Sequence, residues 1–277
     1  QFGEPGGLMR TNIPAFRLPP KVLDEEVDMI LNMGVDIRYN TPVTSLKALL
    51  AEGYEVVGLD NFNHSLVVWR YNPALPAKFE TVRSGLDING PLSPALCPMG
   101  SAGNTVGGGP PTIADFNGDG TPDVAVAGGV GYAVFDGKKL MDPNVAGPDT
   151  FLWIKQTKDC SSAATGSSVF DFDGDGSAEV LYGDEQRLRI YKGSDGAVLW
   201  DTCNTSGTLR EFPLVADVDN DGHADIVAVS NSYSSINCDG TKQRGIRVFG
   251  DSEGNWVRTR RVWNQHAYSV TKTVGIS

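Results

Sequence analysis

The fold of this chain is decided by an acidic stretch that occurs three times, as DFNGDGTPD at residues 115–123, DFDGDGSAE at 171–179 and DVDNDGHAD at 217–225. We call these stretches loop 1, loop 2 and loop 3. Each places oxygen-bearing side chains at positions 1, 3, 5 and 9, and a glycine at position 6 permits a sharp turn. This spacing is typical of calcium-binding loops, because crowded carboxylates repel one another unless a cation neutralises them.

The candidate metal ligands are the side chains at positions 1, 3, 5 and 9, together with the residue at position 7, whose backbone carbonyl is the ligand in such loops. They are Asp115, Asn117, Asp119, Thr121 and Asp123 in loop 1, Asp171, Asp173, Asp175, Ser177 and Glu179 in loop 2, and Asp217, Asp219, Asp221, His223 and Asp225 in loop 3. We expect up to three bound Ca²⁺ ions and a His223 side chain that points away from its ion. The alternative is three Asn-Gly or Asp-Gly hairpin turns without metal.

The flanks of the loops exclude an EF-hand. An EF-hand needs a Glu at position 12 and a helix on each side, but Val126, Tyr182 and Ala228 stand at that position. Short β-branched and apolar runs flank each loop and predict strands. The predicted strands are 112–114, 168–170 and 214–216 before the loops, and 124–126, 180–182 and 226–228 after them.

The repeat extends beyond the loops. Each copy continues into an alternating segment that ends in an aromatic residue (132–135, 188–191 and 246–249) and then a fourth apolar segment (151–153, 198–200 and 256–257). An insertion near residues 230–244 lengthens the third copy. Four strands recurring about every 50 residues indicate propeller blades. A degenerate earlier copy, with a decayed loop at 60–63 and a third strand at 65–71, brings the total to about four.

The motifs IADFNGDG at 113–120, VFDFDGDG at 169–176 and VADVDNDG at 215–222 carry a family resemblance. Residues 56–277 resemble the FG-GAP (VCBS-type) repeat family, which is related to the calcium-binding blades of integrin α subunits. The resemblance implies a mainly β fold of propeller blades, complete or incomplete. It also implies a secreted or surface-exposed protein for adhesion or carbohydrate binding, and some family members are appended to extracellular enzymes.

The first 55 residues have α/β patterning instead. A helix is predicted to open at Pro19-Pro20, with an apolar stripe of Leu23, Val27, Ile30 and Leu31, followed by a strand at 35–39 and a short helix at 45–50. PGGLMR at 5–10, IPAFRLP at 13–19 and GVDI at 34–37 resemble the flavin- and NADPH-dependent oxidoreductases that include the glutamate synthase small subunit. The dinucleotide-binding glycines that precede this segment in that family are missing here. We therefore expect a chimeric N-terminal fragment, 1–55, without flavin or nicotinamide chemistry, joined to a repeat module, 56–277.

The charge of the chain and its distribution limit the kinds of partner that it could bind. The chain has 277 residues and a net charge of −11, and the three loops hold 11 carboxylates at positions 1, 3, 5 and 9. The acidity is therefore local, and it argues against nucleic acid and anionic membranes as partners. No stretch approaches the 18 apolar residues of a membrane span. The first residues show no secretory signal, so we expect an exported module to take its signal from outside this sequence.

Four cysteines, Cys97, Cys160, Cys203 and Cys238, lie in the repeat part, in segments that we expect outside the strands. An even number suits disulfides in an oxidising compartment, although free thiols are the alternative. Three pairings are possible. Cys203–Cys238 is favoured because it would tie the insertion to the preceding blade.

No catalytic motif is apparent, and the histidines His64, His223 and His266 lie far apart in sequence. Most of the five tryptophans fall at strand positions and are expected in the core, with a sugar-stacking platform as the alternative. The sequence therefore predicts a non-catalytic, calcium-binding extracellular module that binds a protein or glycan. The alternatives are a non-catalytic part of an extracellular polysaccharide-acting enzyme and an FAD/NADPH oxidoreductase fragment.

Overall fold

The computed structural model describes residues 19–32, 56–60, 65–72, 74–75, 79–105, 107–209, 211–232 and 235–261. The chain divides into two compact units, one of Gln1–Tyr54 with Thr273–Ser277 and one of Glu55–Lys272. In the first unit, helix α1 (Pro20–Asn32) begins at a proline, which the first turn of a helix tolerates. The strand expected at 35–39 and the helix expected at 45–50 lie outside the described residues.

The second unit is mainly β and holds four small antiparallel sheets, in each of which neighbouring strands follow one another along the chain. Sheet 1 contains β1 (Val56–Asp60), β2 (Ser65–Tyr71) and β3 (Phe79–Asp87); sheet 2 contains β4 (Thr112–Ala114), β5 (Asp123–Ala127), β6 (Gly131–Phe135) and β7 (Phe151–Gln156). Sheet 3 contains β8 (Ser167–Phe170), β9 (Glu179–Gly183), β10 (Arg187–Tyr191) and β11 (Val198–Cys203); sheet 4 contains β12 (Leu214–Ala216), β13 (Asp225–Ser230) and β14 (Gly245–Gly250). Two short helices, α2 (Ala102–Thr105) and α3 (Gly137–Met141), lie in the connections.

The sheets stack in chain order, as propeller blades do, because both faces of the middle sheets are apolar. Side chains alternate between the two faces of a strand. In β5, Val124 and Val126 pack against residues of sheet 1, whereas Ala125 and Ala127 pack against residues of sheet 3. A third core joins sheet 3 to sheet 4, where Leu181 packs with Ile226. The prediction of about four mainly β blades is therefore confirmed.

Two predicted elements differ in the structure. The apolar pair Trp256 and Val257 was expected to form a fourth strand, but it lies outside any strand, and sheet 4 has three strands among the described residues. The segment 65–71 was expected to be the third strand of a degenerate blade, but as β2 it is the central strand of sheet 1. Of the decayed loop expected at 60–63, residues 61–63 lie outside the described residues.

Two disulfides lie in the second unit, Cys97–Cys160 and Cys203–Cys238. The pairing favoured from the sequence is confirmed, although Cys203 is the last residue of β11 rather than part of a loop. The second bridge fastens the insertion between β13 and β14 to sheet 3, and the Gln186 side chain adds a hydrogen bond of 2.7 Å to the carbonyl of Asn237. The inserted segment is therefore held against the preceding sheet.

Within the described ranges, no helix combines the length and the apolar character that a membrane crossing requires.

Candidate metal centres

Each acidic loop joins the first two strands of its sheet and closes over a buried carboxylate. The residue at position 9 is the first residue of the second strand in all three sheets: Asp123 is 0%, Glu179 1% and Asp225 7% exposed. Each carboxylate accepts a hydrogen bond from the backbone N–H at position 2, at 3.0, 2.8 and 2.9 Å respectively. The two ends of the loop are therefore tied together in the same way three times.

The loop interiors also repeat. The carboxylate at position 1 accepts a hydrogen bond from the glycine N–H at position 6, at 2.8 Å in loop 1, 3.1 Å in loop 2 and 3.2 Å in loop 3. These glycines have positive φ angles of 81°, 97° and 91°, which side-chain-bearing residues rarely adopt. The side-chain oxygen at position 3 accepts from the backbone N–H at position 5 in each loop. All three loops therefore share these hydrogen bonds.

Loops 2 and 3 each gather three carboxylates that could hold a metal ion. One oxygen from each of Asp171, Asp173 and Glu179 lies within 4.8 Å of the others, and Asp217, Asp219 and Asp225 form the matching group in loop 3. In both groups, the buried Oδ1 of the position-1 aspartate has no hydrogen-bond partner among the described residues.

Burial makes the charge of loop 2 costly without a cation. It raises the pKa of Glu179 to about 8, and the neighbouring Asp173 and Asp171 shift it in the same direction, against the opposing hydrogen bond from Phe172. Burial also raises the pKa of Asp171. A bound cation would reverse this preference and keep both carboxylates ionised.

Loop 1 is different, because a lysine already faces its carboxylates. The Lys138 ammonium of α3 lies 2.9 Å from Oδ2 of Asp119, and its hydrogen bond lowers the pKa of Asp119. Both carboxylate oxygens of Asp115 accept backbone hydrogen bonds. The described residues of this loop do not form a third three-carboxylate group of the kind found in loops 2 and 3.

Positions 5 and 7 lie outside the two carboxylate groups. Asp175 accepts from the Ser177 N–H at 2.7 Å, and Asp221 accepts from the His223 N–H at 2.7 Å. Nδ1 of His223 lies 2.8 Å from the carbonyl oxygen of Trp256. The ligand roles of the residues at these positions, and of all the other residues predicted from the three loops, stay predictions.

The segment 256–260, of which residues 256–257 were expected to form a strand, instead bridges loops 2 and 3. The Val257 N–H donates to the Phe172 carbonyl at 2.9 Å, and the Val257 carbonyl accepts from Ala224 at 3.1 Å. The Asp217 N–H donates to the Arg260 carbonyl at 2.8 Å. Neither this bridge nor Lys138 has a local signal in the sequence, because both contacts join residues that are distant along the chain.

A cleft of about 470 Å³ opens beside loop 2, between sheets 3 and 4. Its lining includes Asp173, Trp200, Asp251 and Trp256. Trp200 and Trp256 are partly buried and pack against the core between these sheets, whereas Trp153 is 7% exposed and belongs to the core between sheets 2 and 3.

Comparison with known proteins gives two kinds of likeness. Residues 171–228, from loop 2 into β13, match the FG-GAP-like repeat family. A segment is similar to the NAD-dependent dihydropyrimidine dehydrogenase subunit PreT, with 52% identity over 52 residues for the Salmonella typhimurium protein, covering 18% of this chain and 13% of PreT. The Escherichia coli K12 protein is 42% identical over 73 residues, covering 22% of this chain and 18% of PreT. The chain thus spans less than a fifth of these curated relatives.

Among solved structures, the biofilm matrix protein Bap1 of V. cholerae is similar with 30% identity and a TM-score of 0.44. The likeness covers 53% of this chain and 23% of Bap1. A TM-score at this level transfers no property of Bap1 to this chain.

Proposed function

We propose that the second unit is a non-catalytic, calcium-binding extracellular module that holds two Ca²⁺ ions, one in loop 2 and one in loop 3, and binds a protein or glycan. The observation that carries the proposal is the buried Oδ1 of Asp171 and of Asp217, which lacks a hydrogen-bond partner within the described part of the chain and lies beside two further carboxylates in each loop. A buried carboxylate oxygen without a partner loses its hydration without compensation, and a bound cation supplies that compensation.

The chemistry of the donors favours calcium. All ligand candidates of loops 2 and 3 are oxygens, which suit hard cations rather than zinc or copper. Calcium accepts six to eight oxygens in irregular geometry, whereas magnesium requires a near-octahedral shell. The carboxylates of these nine-residue loops also accept hydrogen bonds from the loop backbone, so they cannot move freely into an octahedral arrangement. Such loops suit calcium better than magnesium.

Loop 1 takes no ion in this proposal. The ammonium of Lys138, at 2.9 Å from Asp119, supplies the positive charge that calcium supplies in the other loops. Asp115 also has both oxygens satisfied by backbone N–H groups. The expected number of ions is therefore two rather than the three that the sequence allows.

Each ion stabilises the folded state by linking the ends of two strands. Position 1 follows the first strand of the sheet, and position 9 begins the second, so one ion contacts both. Because the unfolded chain cannot present these carboxylates together, calcium binds the folded form preferentially and stabilises it.

Several observations support an extracellular binding role. Two disulfides fit an oxidising compartment. The FG-GAP-like repeat match implies adhesion or ligand binding, as the resemblance does. The cleft beside loop 2 joins the indoles of Trp200 and Trp256 to the polar Asp251, a combination that suits a glycan or a protein side chain. The loop carboxylates hold the ions, so none is assigned a catalytic step.

The PreT-like segment adds no redox activity in this proposal. It amounts to 13% to 18% of the curated relatives. An NAD-dependent enzyme needs a complete dinucleotide-binding unit to hold its cofactor.

Calcium titration by isothermal calorimetry tests the proposal. The native chain should bind two ions, and Asp171→Ala and Asp217→Ala should each remove one. Asp115→Ala is the matched control, since it alters the same loop position where no ion is expected, and it should leave the number at two. A native chain that binds no ion, or that loses an ion only with Asp115→Ala, would overturn the assignment.

A further inference from the structure

One short segment contacts both candidate ion sites. We call residues 256–260 the strap; it follows the turn after β14 and crosses from loop 2 to loop 3. Its backbone forms hydrogen bonds with backbone groups of both loops. Because loop 2 belongs to sheet 3 and loop 3 to sheet 4, the strap joins the ion-binding ends of two different sheets.

The strap holds loop 2 at position 2. The Val257 N–H donates to the carbonyl of Phe172 at 2.9 Å, and the Phe172 N–H donates at 2.8 Å to the candidate ligand Glu179. The ring of Trp256 also packs against the ring of Phe172, with 5.0 Å between the ring centroids. A displacement of the strap therefore displaces the residue that lies between the first two ligand positions of loop 2.

The strap holds loop 3 near both of its ends. At position 1, the Asp217 N–H donates to the Arg260 carbonyl at 2.8 Å. At position 8, the Ala224 N–H donates to the Val257 carbonyl at 3.1 Å. At position 7, Nδ1 of His223 lies 2.8 Å from the first carbonyl oxygen of the strap. The strap is thus fastened beside ligand positions 1 and 9 of this loop.

These contacts make the order of one loop depend on the order of the other. An ion fixes the backbone of its loop, because the ligands along that loop must meet at one point. A fixed loop holds the strap, and the strap then holds the second loop in the arrangement that an ion requires. When one ligand has already ordered a segment that a second ligand needs, the second ligand binds more tightly.

We propose that the strap couples the two calcium sites, so that an ion in one loop raises the affinity of the other loop. This inference rests on the proposed function, because it requires an ion in loop 2 and another in loop 3. The coupling is reciprocal, and a factor of about 5 to 150 in affinity is typical of coupled sites. The module therefore fills with calcium over a narrower range of concentration than two independent sites would.

Calcium titration by isothermal calorimetry measures the coupling. Asp217→Ala leaves the site in loop 2 and Asp171→Ala leaves the site in loop 3, so the two variants give the affinity of each isolated site. The second ion should bind the native chain at least about fivefold more tightly than independent sites with these affinities would allow. Two ions that bind independently would overturn the inference and leave the proposed function intact. A native chain that binds fewer than two ions would overturn both.

Val257→Pro tests whether the strap carries the coupling. Proline lacks the N–H that donates to the Phe172 carbonyl, while every candidate ligand is kept. We expect this variant to bind two ions without cooperativity. Ser252→Pro is the matched control, because Ser252 is the second residue of a turn that the Gly254 N–H closes on the Asp251 carbonyl at 3.0 Å, a position that suits proline. It should keep the native coupling.

His223→Ser is a second test that leaves the strap backbone unaltered. Serine is the residue at position 7 of loop 2, and the candidate ligand at this position is the backbone carbonyl. The substitution removes the contact of the imidazole with the strap, so the coupling factor should fall while the number of ions stays at two. Native cooperativity in Val257→Pro, or an equal loss in His223→Ser and Ser252→Pro, would assign the coupling to another route and overturn the inference.

Discussion

Asp171 and Asp217 differ from Asp115 in one respect, although all three stand at position 1 of the same loop. Both oxygens of Asp115 accept backbone hydrogen bonds, whereas Oδ1 of the other two is buried without a partner among the described residues. Loop 1 also differs in having a cation from the chain itself, because Lys138 pairs with Asp119. At the scale of residues, one lysine separates a self-neutralised loop from two candidate ion sites.

Removing this lysine should convert loop 1 into an ion site. In Lys138→Met the carboxylates of loop 1 lose their counter-charge while the loop keeps its oxygens. We expect calorimetry to count three calcium ions instead of two. Lys139→Met is the control, because Lys139 pairs with Asp136 of the helix cap at 3.7 Å rather than with the loop. A count that stays at two in Lys138→Met would show that loop 1 lacks a site for another reason.

At this scale, the sequence predicted which carboxylates lie close together in loops 2 and 3, because their spacing is local. The carboxylates at positions 1, 3 and 9 of loops 2 and 3 come together, as the spacing indicates. The role of Lys138 was not predictable, since helix α3 reaches loop 1 only after β5 and β6 have paired. The order of charged residues along the chain does not indicate that the side chains of Lys138 and Asp119 meet.

At the scale of elements, the alternation of apolar residues was a reliable guide to the strands that flank the loops. It failed at Trp256 and Val257, because these residues are apolar for another reason. The Trp256 ring packs 5.0 Å from the ring of Phe172, and the backbone of Val257 links loop 2 to loop 3. An apolar pair that covers two loops has the same composition as a short strand, so the sequence could not separate the two.

Loops 1 and 2 are joined by a hydrogen bond of 2.9 Å from the Ala178 N–H to the Asp115 carbonyl, and Gly193, in the turn between β10 and β11, lies against both loops. A Cβ on Gly193 would lie 2.2 Å from the carbonyl oxygen of Ala178 and 2.3 Å from that of Phe116. We expect Gly193→Ala to lower the free energy of unfolding by about 1–3 kcal/mol, because backbone atoms must move apart. Urea denaturation provides the measurement.

Gly183→Ala serves as the control for this prediction. A Cβ at Gly183 would meet only Cδ1 of Leu188, at 3.5 Å, which is an ordinary contact. Its free energy of unfolding should change much less than that of Gly193→Ala. Equal effects of the two substitutions would mean that a general cost of replacing glycine, rather than the close approach of the loops, explains the loss.

At the scale of the whole molecule, the repeat of loops and strands was sufficient to predict about four small sheets. Sheet 1 was the least well predicted, since the segment 65–71 was expected to be a third strand and is the central strand of the three described ones. The exposure of Val229, Ile246 and Val248 in sheet 4 could not be predicted from the sequence, because these residues have the same character as buried residues in sheets 2 and 3. The boundary between residues 55 and 56 stays a prediction.

The measurement that tests the central claim most directly is thermal unfolding of the chain in excess calcium and in chelator. At a calcium concentration a hundredfold above the dissociation constant, two sites should stabilise the fold by roughly 5 kcal/mol and raise Tm on the order of 10 °C. The Asp171→Ala/Asp217→Ala variant should lose this shift, while Asp115→Ala should keep it, even if its Tm is lower in both conditions. A native chain with the same Tm in calcium and chelator would contradict the account.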